Sequence, residues 1–365
     1  MVLRAAWTVL GVRWSVPANQ SLPRLLYIRF HWGYMVSGSN SIVFTHGGGR
    51  FGNQFLNAAN LIALDREFDS LDVIDLALIP YSEHYQNDNM PLISVDNASM
   101  ENIWKTLFNG LWSVNPKKRA IFVRWDKIRC RTVHSLADHA PNAQSVCAGH
   151  TNYAVPGEMF ESLRLNDAAE TVFNRQPLTV LSGWRGRCWP LVKTHETAVR
   201  EALTIGTPHR ERAREFIQSL RDDYDCLVGV LLRQGDYRSW HDGDYYFETS
   251  RYEQWLDSHE RSHSNERIGY VIASDEPQHG HFEATNRHTA TGKEIGTGHY
   301  LESLVELSLC DVILTPPSTF STCAAFLGET PVVPLHDENP TDSWVKLDGH
   351  LFDCLEHPHM SESVK

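Results

Sequence analysis

The last third of the chain has the most regular order of apolar and polar positions. Continuous apolar runs alternate there with amphipathic segments, which is typical of a parallel sheet covered by helices on both faces. The predicted strands span residues 226–232, 268–273, 312–314 and 331–335. The predicted helices span residues 208–224, 245–259, 300–309 and 318–327. Polar residues follow the strand ends, which is where open α/β sheets bind ligands.

A second unit of strand, loop and helix begins at Ser41. Residues 42–44 form a short apolar run, residues 47–54 are rich in glycine, and residues 55–68 carry apolar side chains at helical spacing. Another strand is predicted over 72–80.

The pattern is weakest over 81–208. Only two stretches there, 120–123 and 178–181, resemble strands. We expect irregular loops and helices in the rest of this segment.

The length of 365 residues favours two domains over one. We predict an α/β protein with two Rossmann-like lobes. The segments are a basic, poorly patterned extension over 1–40, an N-terminal lobe over 41–207, a C-terminal lobe over 208–340 and a tail over 341–365.

The formal charge of -12 and the pI of about 5.9 disfavour a protein that binds nucleic acid through a broad basic face. Residues 1–64 nevertheless contain five arginines and no lysine or acid. The basic extension has four interpretations: a segment on a membrane surface, a transit peptide, a disordered arm, or an over-long start before Met35. The last two are favoured because the segment has no periodic pattern.

No apolar run reaches the roughly 18 to 20 residues that a membrane-spanning helix needs. The expected location is therefore cytoplasmic, with peripheral membrane contact as an alternative.

Seven widely spaced cysteines without a C-x-x-C pair predict buried thiols in a reducing compartment. Two H-x-H pairs, His279 with His281 and His357 with His359, have no carboxylate at ligand spacing. We therefore predict no metal site and no cofactor.

The glycine loop is the first candidate for ligand chemistry. Gly49, Arg50, Gly52 and Asn53 follow a predicted strand and begin a helix. Glycines let the backbone approach a ligand, helix-start amides can donate to an anion, and an arginine suits phosphate. A tight turn without any ligand explains the pattern equally well.

Three further groups follow strands of the second lobe. Arg233, Gly235 and Asp236 follow the first of these strands, and the arginine either meets an anion or pairs with Asp236. Asp275, after the next strand, either accepts hydrogen bonds from a nucleoside or caps the following segment. Residues 318–322 begin a helix with hydroxyl side chains, which suit either a phosphate or an ordinary helix cap.

Together the four groups fit a nucleotide-diphosphate ligand, and their order resembles that in the superfamily of α1,2-, α1,6- and protein O-fucosyltransferases. The family has G-x-G-N-Q, H-x-R-x-G-D, S-D-D/E and S-T-F-S-x-x-A-A-x-L-G elements. This chain has corresponding elements at 49–54, 233–237, 273–277 and 318–328. The glycine loop is most similar to that of the protein O-fucosyltransferases, and the last element to that of the α1,2 branch.

The resemblance implies a GT-B architecture with the donor site in the cleft between two lobes, GDP-fucose as donor, inversion at the anomeric carbon and no metal ion. The N-terminal lobe would carry acceptor-side elements and the C-terminal lobe would bind the nucleotide sugar. The family arginine that holds the diphosphate corresponds to Arg233, and the nucleoside-binding acid to Asp275. The donor site implied by the resemblance also includes these residues: Gly49, Arg50, Gly52, Asn53, Gly235, Ser318, Thr319, Phe320 and Ser321. The family histidine of the H-x-R element is Leu231 here, which puts guanine specificity and activity in question.

The predicted function is therefore transfer of fucose, or a related deoxyhexose, from a GDP-sugar to a glycan hydroxyl. Arg233 would stabilise the leaving diphosphate, and Asp236, Glu248 or Asp244 would accept the proton of the acceptor hydroxyl. One alternative is a nucleotide-sugar or glycan-binding protein without catalysis. Another is a nucleotide-dependent α/β enzyme of a different class, which lacks support because there is no Walker lysine.

Overall fold

The computed structural model describes residues 40–86, 92–93, 100–114, 116, 119–149 and 153–335, all within one compact unit, Ser39–Lys365. The predicted basic extension lies outside the described residues except for Asn40. The predicted tail, Cys354 and the pair of His357 and His359 also lie outside them. None of the helices within these ranges combines the length and the apolar character that crossing a bilayer needs.

Within the described residues the first lobe has seven strands, and five of them form a parallel sheet. Its strands in chain order are β1 (Asn40–His46), β2 (Leu71–Asp75), β3 (Ala143–Ala148), β4 (Glu158–Phe160), β5 (Leu163–Arg164), β6 (Leu178–Ser182) and β7 (Gly186–Arg187). The sheet order is β2-β1-β6-β3-β4, and β5 pairs with β7 in a separate two-stranded sheet. The helices are α1 (Phe51–Glu67), α2 (Asn102–Trp112), α3 (Arg119–His139), α4 (Leu165–Thr171), α5 (Trp189–Thr194) and α6 (Glu196–Ala202), with a 3₁₀ turn at Ile79–His84.

The second lobe contains another five-stranded parallel sheet. Its strands are β8 (Cys226–Leu232), β9 (Ile268–Ser274), β10 (Arg287–Thr289), β11 (Val312–Thr315) and β12 (Val332–Pro334), in the order β10-β9-β8-β11-β12. The helices are α7 (Thr207–Arg221), α8 (Thr249–Ser262), α9 (Tyr300–Ser308) and α10 (Thr319–Gly328). Leu232 pairs with Ser274 in register. Arg233 and Asp275 directly follow these two strands and therefore lie side by side at the same end of the sheet.

The predicted α/β class with two Rossmann-like lobes is confirmed. Four strands of the second lobe, β8, β9, β11 and β12, lie where the apolar runs predicted them, whereas β10 was not predicted. All described contacts between neighbouring strands of both five-stranded sheets are parallel, as expected for sheets built from strand–helix repeats. The exact domain boundaries stay a prediction.

The predicted strand over 120–123 is wrong, because these residues belong to α3. The inward face of α3 is partly polar, with Asp126, Arg129 and His134 buried beside apolar residues. Exposed apolar residues such as Ile121 and Val123 face outward on the same helix. The hydrophobic period is therefore obscured, and four apolar residues in a row resemble a strand.

Three other sequence predictions need correction. β3 was not predicted. The strand predicted over 72–80 ends earlier, at Asp75. The Asp75 carboxylate accepts hydrogen bonds from the amides of Ala77 and Leu78, which turns the chain there. The helix predicted from 245 begins at Thr249.

The cysteines agree with the expectation of buried thiols. Five of the six described are buried, and Cys226 is half-buried.

The two lobes meet where α1 and α10 begin. A Cβ atom on Gly52 of α1 would lie 2.7 Å from Thr319 Oγ1 and 3.2 Å from the amide nitrogen of Phe320. The Thr319 hydroxyl donates a 3.0 Å hydrogen bond to Asn53 Oδ1. Cys323 Sγ lies 3.6 Å from the carbonyl oxygen of Gly52. The two helix starts can approach this closely only because residue 52 is a glycine and has no Cβ atom.

A buried polar chain fastens α3 to the first sheet. His134 Nε2 lies 2.9 Å from Thr45 Oγ1, and its Nδ1 lies 2.7 Å from Ser145 Oγ. The Ser145 hydroxyl donates in turn to the carbonyl of Pro156. Burial lowers the pKa of His134 to about 3, with a further lowering by the nearby His46. The imidazole is therefore neutral in the folded protein, with both of its nitrogens in use.

We predict that Gly52→Ala destabilises the protein relative to a matched glycine in α2. Gly110→Ala is the control, because its Cβ would meet no heavy atom within 4 Å. Alanine is the better helix former by roughly 0.8 to 1 kcal/mol, so Gly110→Ala should raise the free energy of unfolding. At Gly52 the new methyl group pushes the two helix starts apart and should remove this gain. Denaturant unfolding measures the change in the free energy of unfolding for each variant. Equal stabilisation by the two substitutions would contradict the tight contact at Gly52.

We predict that His134 makes the protein less stable at acidic pH. Its folded pKa of about 3 lies below its ordinary value of 6.5, so the unfolded chain binds its proton first and stability falls as pH falls. The free-energy gap between wild type and His134→Gln should shrink by about 3 kcal/mol between pH 6.5 and 4. Denaturant unfolding at a series of pH values measures the gap. A gap that stays constant would show that His134 does not titrate in this way.

Candidate functional site

The glycine loop joins the end of β1 to the start of α1 in a left-handed backbone. Gly48 and Gly49 have φ angles of 78° and 70°, which residues with a side chain rarely adopt. A Cβ on Gly49 would also lie 2.0 Å from Asn53 Nδ2. Gln54 Nε2 donates a 2.7 Å hydrogen bond to the carbonyl of Gly48 and closes the loop over the helix start.

The start of α1 has backbone amides that have no partner within the helix. Arg50 is its N-cap, and no side-chain oxygen caps the helix. The first amides of a helix have no partner within the helix, so those of Phe51, Gly52 and Asn53 can donate outward. The Arg50 side chain is exposed and forms no ion pair within the described ranges. This end of α1 therefore favours an anion.

The hydroxyls at the start of α10 are used mainly inside the protein. The Ser318 hydroxyl accepts a 3.2 Å hydrogen bond from the amide of Phe320, and the Ser321 hydroxyl donates to the carbonyl of Ser318 at 3.0 Å. Both serines are buried. The helix cap that the sequence left as an alternative is therefore present at Ser318, and contact of these two hydroxyls with a ligand stays a prediction. The amides of Thr319 and Ser321 remain as donors of this helix start.

Arg233 lies at the end of β8 between two carboxylates. Its Nη1 lies 2.9 Å from Asp275 Oδ2, and its Nη2 lies 2.9 Å from Asp236 Oδ1. Burial alone would lower the pKa of Arg233, but the Tyr237 phenol and the two carboxylates raise it above its ordinary value. The internal ion pair that the sequence left as an alternative is therefore present, and Asp275 is a second partner.

Asp275 also shapes the loop after β8. Its Oδ1 accepts hydrogen bonds from the amides of Gln234 at 2.8 Å and Gly235 at 3.4 Å. One carboxylate thus holds the backbone that follows β8 and orients Arg233. The position expected to bind a nucleoside has a structural task in the fold.

Tyr237 connects Arg233 to the start of α10. Its ring lies 4.8 Å below the Arg233 guanidinium, and its hydroxyl donates to the carbonyl of Pro317. The same phenol lies within hydrogen-bonding reach of Ser318. The predicted residues thus form one continuous path, from Arg233 through Tyr237 to the α10 start, and on through Thr319 to Asn53 and the glycine loop.

Asp236 and Glu248 differ in their relation to this path. Asp236 contacts Arg233 directly and its side chain is 55% exposed. Glu248 is the exposed N-cap of α8 and accepts a hydrogen bond from the Tyr246 hydroxyl at 3.1 Å. Among the contacts of the described residues, none joins Glu248 to Arg233 or to the glycine loop. The structure therefore gives no support to Glu248 as a catalytic residue.

Arg187 is a candidate that the sequence analysis missed. Its guanidinium lies 4.0 Å from the Trp184 ring, and its Nη1 donates to Asn57 Oδ1 at 2.8 Å. A Cβ on Gly47 would lie 1.8 Å from Asn57 Nδ2, so Arg187 is linked through Asn57 to the underside of the glycine loop. Burial lowers the pKa of Arg187 to about 9, and its Nη2 is buried without a hydrogen-bond partner. No carboxylate of the described residues pairs with it. A signal existed in the sequence, because Arg187 follows β6 in a short stretch that contains Gly183 and Gly186.

Leu231, which replaces the family histidine, is buried in β8. Beside it, Gln234 is also buried, and its amide nitrogen donates to Thr249 Oγ1 at 3.0 Å. Its amide oxygen accepts from Gln278 Nε2 at 2.7 Å. This amide network holds the loop after β8 against the start of α8.

The candidate metal residues do not converge. Within the described residues, no group of three or more His, Cys, Asp or Glu side chains is arranged to hold a metal ion. His281 Nδ1 lies 3.3 Å from Glu253 instead. Asp242 and Asp244 lie in an exposed turn in which Asp242 has a φ of 56°.

The arrangement can hold a polyanionic ligand between the lobes. Two helix starts present their amides at one place, and Arg233 and Arg50 flank them. Asp275 and Asp236 hold the guanidinium plane of Arg233 in one orientation.

No protein-family model and no curated protein sequence matches the chain. Several solved structures have a similar fold. An Arg-to-Lys variant of FUT1 from Arabidopsis thaliana, in complex with GDP, is 11% identical; the match covers 86% of this chain and 75% of that one, with a TM-score of 0.48. POFUT1 in complex with GDP is 14% identical over 81% of this chain and 96% of its own, with a TM-score of 0.43. The fucosyltransferase NodZ from Bradyrhizobium is 12% identical over 85% of this chain and 99% of its own, with a TM-score of 0.44. These are distant similarities of overall fold, and they assign no role to any residue of this chain.

Proposed function

We propose that the chain is a metal-independent, inverting glycosyltransferase of the fucosyltransferase superfamily, with a GT-B arrangement of its lobes. It transfers fucose, or a related deoxyhexose, from a GDP-sugar to a glycan hydroxyl. The observation that carries the proposal is the continuous path from Arg233 through Tyr237 and Thr319 to Asn53. This path joins three of the four motifs of the resemblance at one place, and Asp275 brings in the fourth.

The donor diphosphate would bind where α1 and α10 begin. A diphosphate needs several donors within a few ångströms, and the two helix starts supply backbone amides that have no partners within their helices. Gly49 and Gly52 leave room for close approach, because neither has a side chain. Arg50 and the half-buried Arg187, which has no carboxylate partner among the described residues, add positive potential on the side of the first lobe.

Arg233 would stabilise the charge that develops on the leaving diphosphate. When the bond between the sugar and the phosphate breaks, its electron pair passes to the phosphate oxygen while the sugar becomes positively charged. Arg233 is already oriented by Asp275 and by the Tyr237 ring, so little reorganisation is needed as the charge develops. In this role Arg233 exchanges part of its contact with Asp236, the more exposed partner, for the phosphate oxygens.

A second candidate function is binding of a nucleotide sugar without catalysis. Two observations favour it: Leu231 replaces a histidine of the motif, and two carboxylates neutralise Arg233. Both functions predict binding of GDP. Release of GDP from GDP-fucose separates them, because only an enzyme breaks the bond between the sugar and the phosphate.

The donor is tested by thermal unfolding with GDP-, UDP-, ADP- and dTDP-linked sugars, in the presence of EDTA. We expect a GDP-sugar to raise the melting temperature most, and we expect GDP release from GDP-fucose to proceed in the chelator. Preference for another base would contradict the assigned donor. An absolute requirement for an added divalent cation would contradict the metal-independent mechanism and point to Asp242 and Asp244.

We predict that Arg233→Ala loses at least about 3 kcal/mol of transition-state stabilisation, which is on the order of 10²-fold in kcat/KM for GDP release. The reason is that Arg233 acts on charge formed as the bond breaks. Arg267→Ala is the control, because Arg267 forms an exposed pair with Asp225 before β9, at the opposite edge of the sheet. Full activity in a folded Arg233→Ala protein would show that the arginine serves only the ion pairs of the fold.

A further inference from the structure

A histidine and a carboxylate form a pair at the edge of the first sheet that carries the glycine loop. His46 is the last residue of β1, and Gly47 follows it directly. Its Nδ1 lies 3.3 Å from Asp126 Oδ2 on α3. The Tyr153 ring stacks on the imidazole at a centroid distance of 3.7 Å and an angle of 13°. The ring of His46 therefore has one covered face and a fixed orientation.

Asp126 is held as a fixed carboxylate. Its Oδ1 lies 2.6 Å from Arg129 Nη2, and its Oδ2 accepts a 2.8 Å hydrogen bond from the Tyr153 hydroxyl. Burial alone would raise the pKa of Asp126, but the hydrogen bonds from His46 and Tyr153 and the charge of Arg129 lower it. Asp126 thus stays ionised, and its negative carboxylate lies 3.3 Å from His46 Nδ1.

The negative charge of Asp126 favours the tautomer of His46 that carries its proton on Nδ1. With the proton on Nδ1, the lone pair is on Nε2, which can accept a proton. The His46 side chain is 13% exposed, and no described residue provides a hydrogen-bond partner to Nε2. The titratable and charged groups around the pair are Asp126, Arg129, Tyr153, His134 and Cys130.

A purely structural role for the pair would be to fasten α3 to the sheet. His134, on the same helix, shows what such a role looks like. It is fully buried, and both of its nitrogens have partners in Thr45 and Ser145. His46 differs on both points, since it is partly exposed and only its Nδ1 is engaged. Fastening α3 does not explain a free Nε2 at the ligand edge.

We propose that His46 is the general base of the transfer reaction and that Asp126 is its positioning residue. This proposal rests on the proposed function. His46 Nε2 takes the proton from the acceptor hydroxyl, whose oxygen forms the new bond to the anomeric carbon of fucose. The bond from that carbon to the phosphate oxygen breaks, and its electron pair leaves with GDP. The proton remains on the imidazole until product release, so Asp236, Glu248 and Asp244 are not needed as bases.

The test follows GDP release from GDP-fucose with water as the acceptor. We expect His46→Gln to lower the rate by ~10²- to 10⁴-fold, as for loss of a general base. The decline of the wild-type rate at acidic pH should disappear in this variant. Sodium azide should restore GDP release by His46→Gln, because the azide anion attacks without losing a proton. It should not rescue Arg233→Ala, in which the leaving group lacks its stabiliser.

Controls separate chemistry from folding. His263→Gln changes the exposed histidine that caps the C-terminus of α8 and should keep the wild-type rate and pH profile. Thermal unfolding and GDP binding are measured for every variant. Asp126→Asn keeps the shape of the side chain; it should lower the rate, alter the pH profile and respond to azide, and it provides the same test if His46→Gln does not fold.

Three results would overturn the proposal. A folded, GDP-binding His46→Gln protein with the wild-type rate and pH profile would remove the general base and leave the proposed function intact. Loss of activity without azide rescue would assign His46 a structural role. No GDP release by the wild type would refute the proposed enzyme itself, and the role of His46 with it.

Discussion

The site depends on the contact between the starts of α1 and α10. Gly52 has no side chain, so the backbone of Thr319 and Phe320 can approach it to a distance that a methyl group would occupy. The hydrogen bond from Thr319 to Asn53 fixes the two helices in this position. Two helix starts of like polarity would repel each other weakly if nothing lay between them. Tight packing of Cys323 and Phe326 against α1 offsets this repulsion and keeps a region of positive potential between the lobes.

The arginines around this contact are of two kinds, those with carboxylate partners and those without. Arg233 has two carboxylate partners, which hold its guanidinium plane in one orientation. Arg187 and Arg50 have none among the described residues, so their charges are not neutralised locally. A ligand that carries two phosphates can satisfy both kinds of arginine. A monoanionic ligand would leave much of this positive potential unused, which is why the arrangement favours a diphosphate over a simple carboxylate.

The sequence predicted four strands of the second lobe well because β8, β9, β11 and β12 are continuous apolar runs that are largely buried. The short polar strand β10 was missed. It failed on α3, where the buried side contains Asp126, Arg129 and His134 and hides the helical period. The motifs located Arg233, Asp275 and the start of α10. They could not show that Asp275 and Ser318 hydrogen-bond to nearby backbone amides, because such bonds depend on the register of β8 and β9 and on the helix cap. Arg187 and His46 belong to no motif that was considered. The fold brings Arg187 to the loop, whereas His46 adjoins the loop in the sequence and meets Asp126 only in the fold.

The proposed roles of His46 and Arg233 place the chemistry on both lobes, as the proposed inverting reaction requires. Inversion requires the acceptor oxygen and the leaving phosphate to lie on opposite sides of the anomeric carbon. His46 extends from the first sheet, whereas Arg233 extends from the second. A sugar between the lobes would therefore have its proton acceptor on one side and the stabiliser of its leaving group on the other. The glycine loop connects the proposed base to the phosphate-binding amides. It follows His46 and leads to the start of α1, which contacts Thr319. A change in the loop backbone would thus move the proposed base and the phosphate-binding amides together.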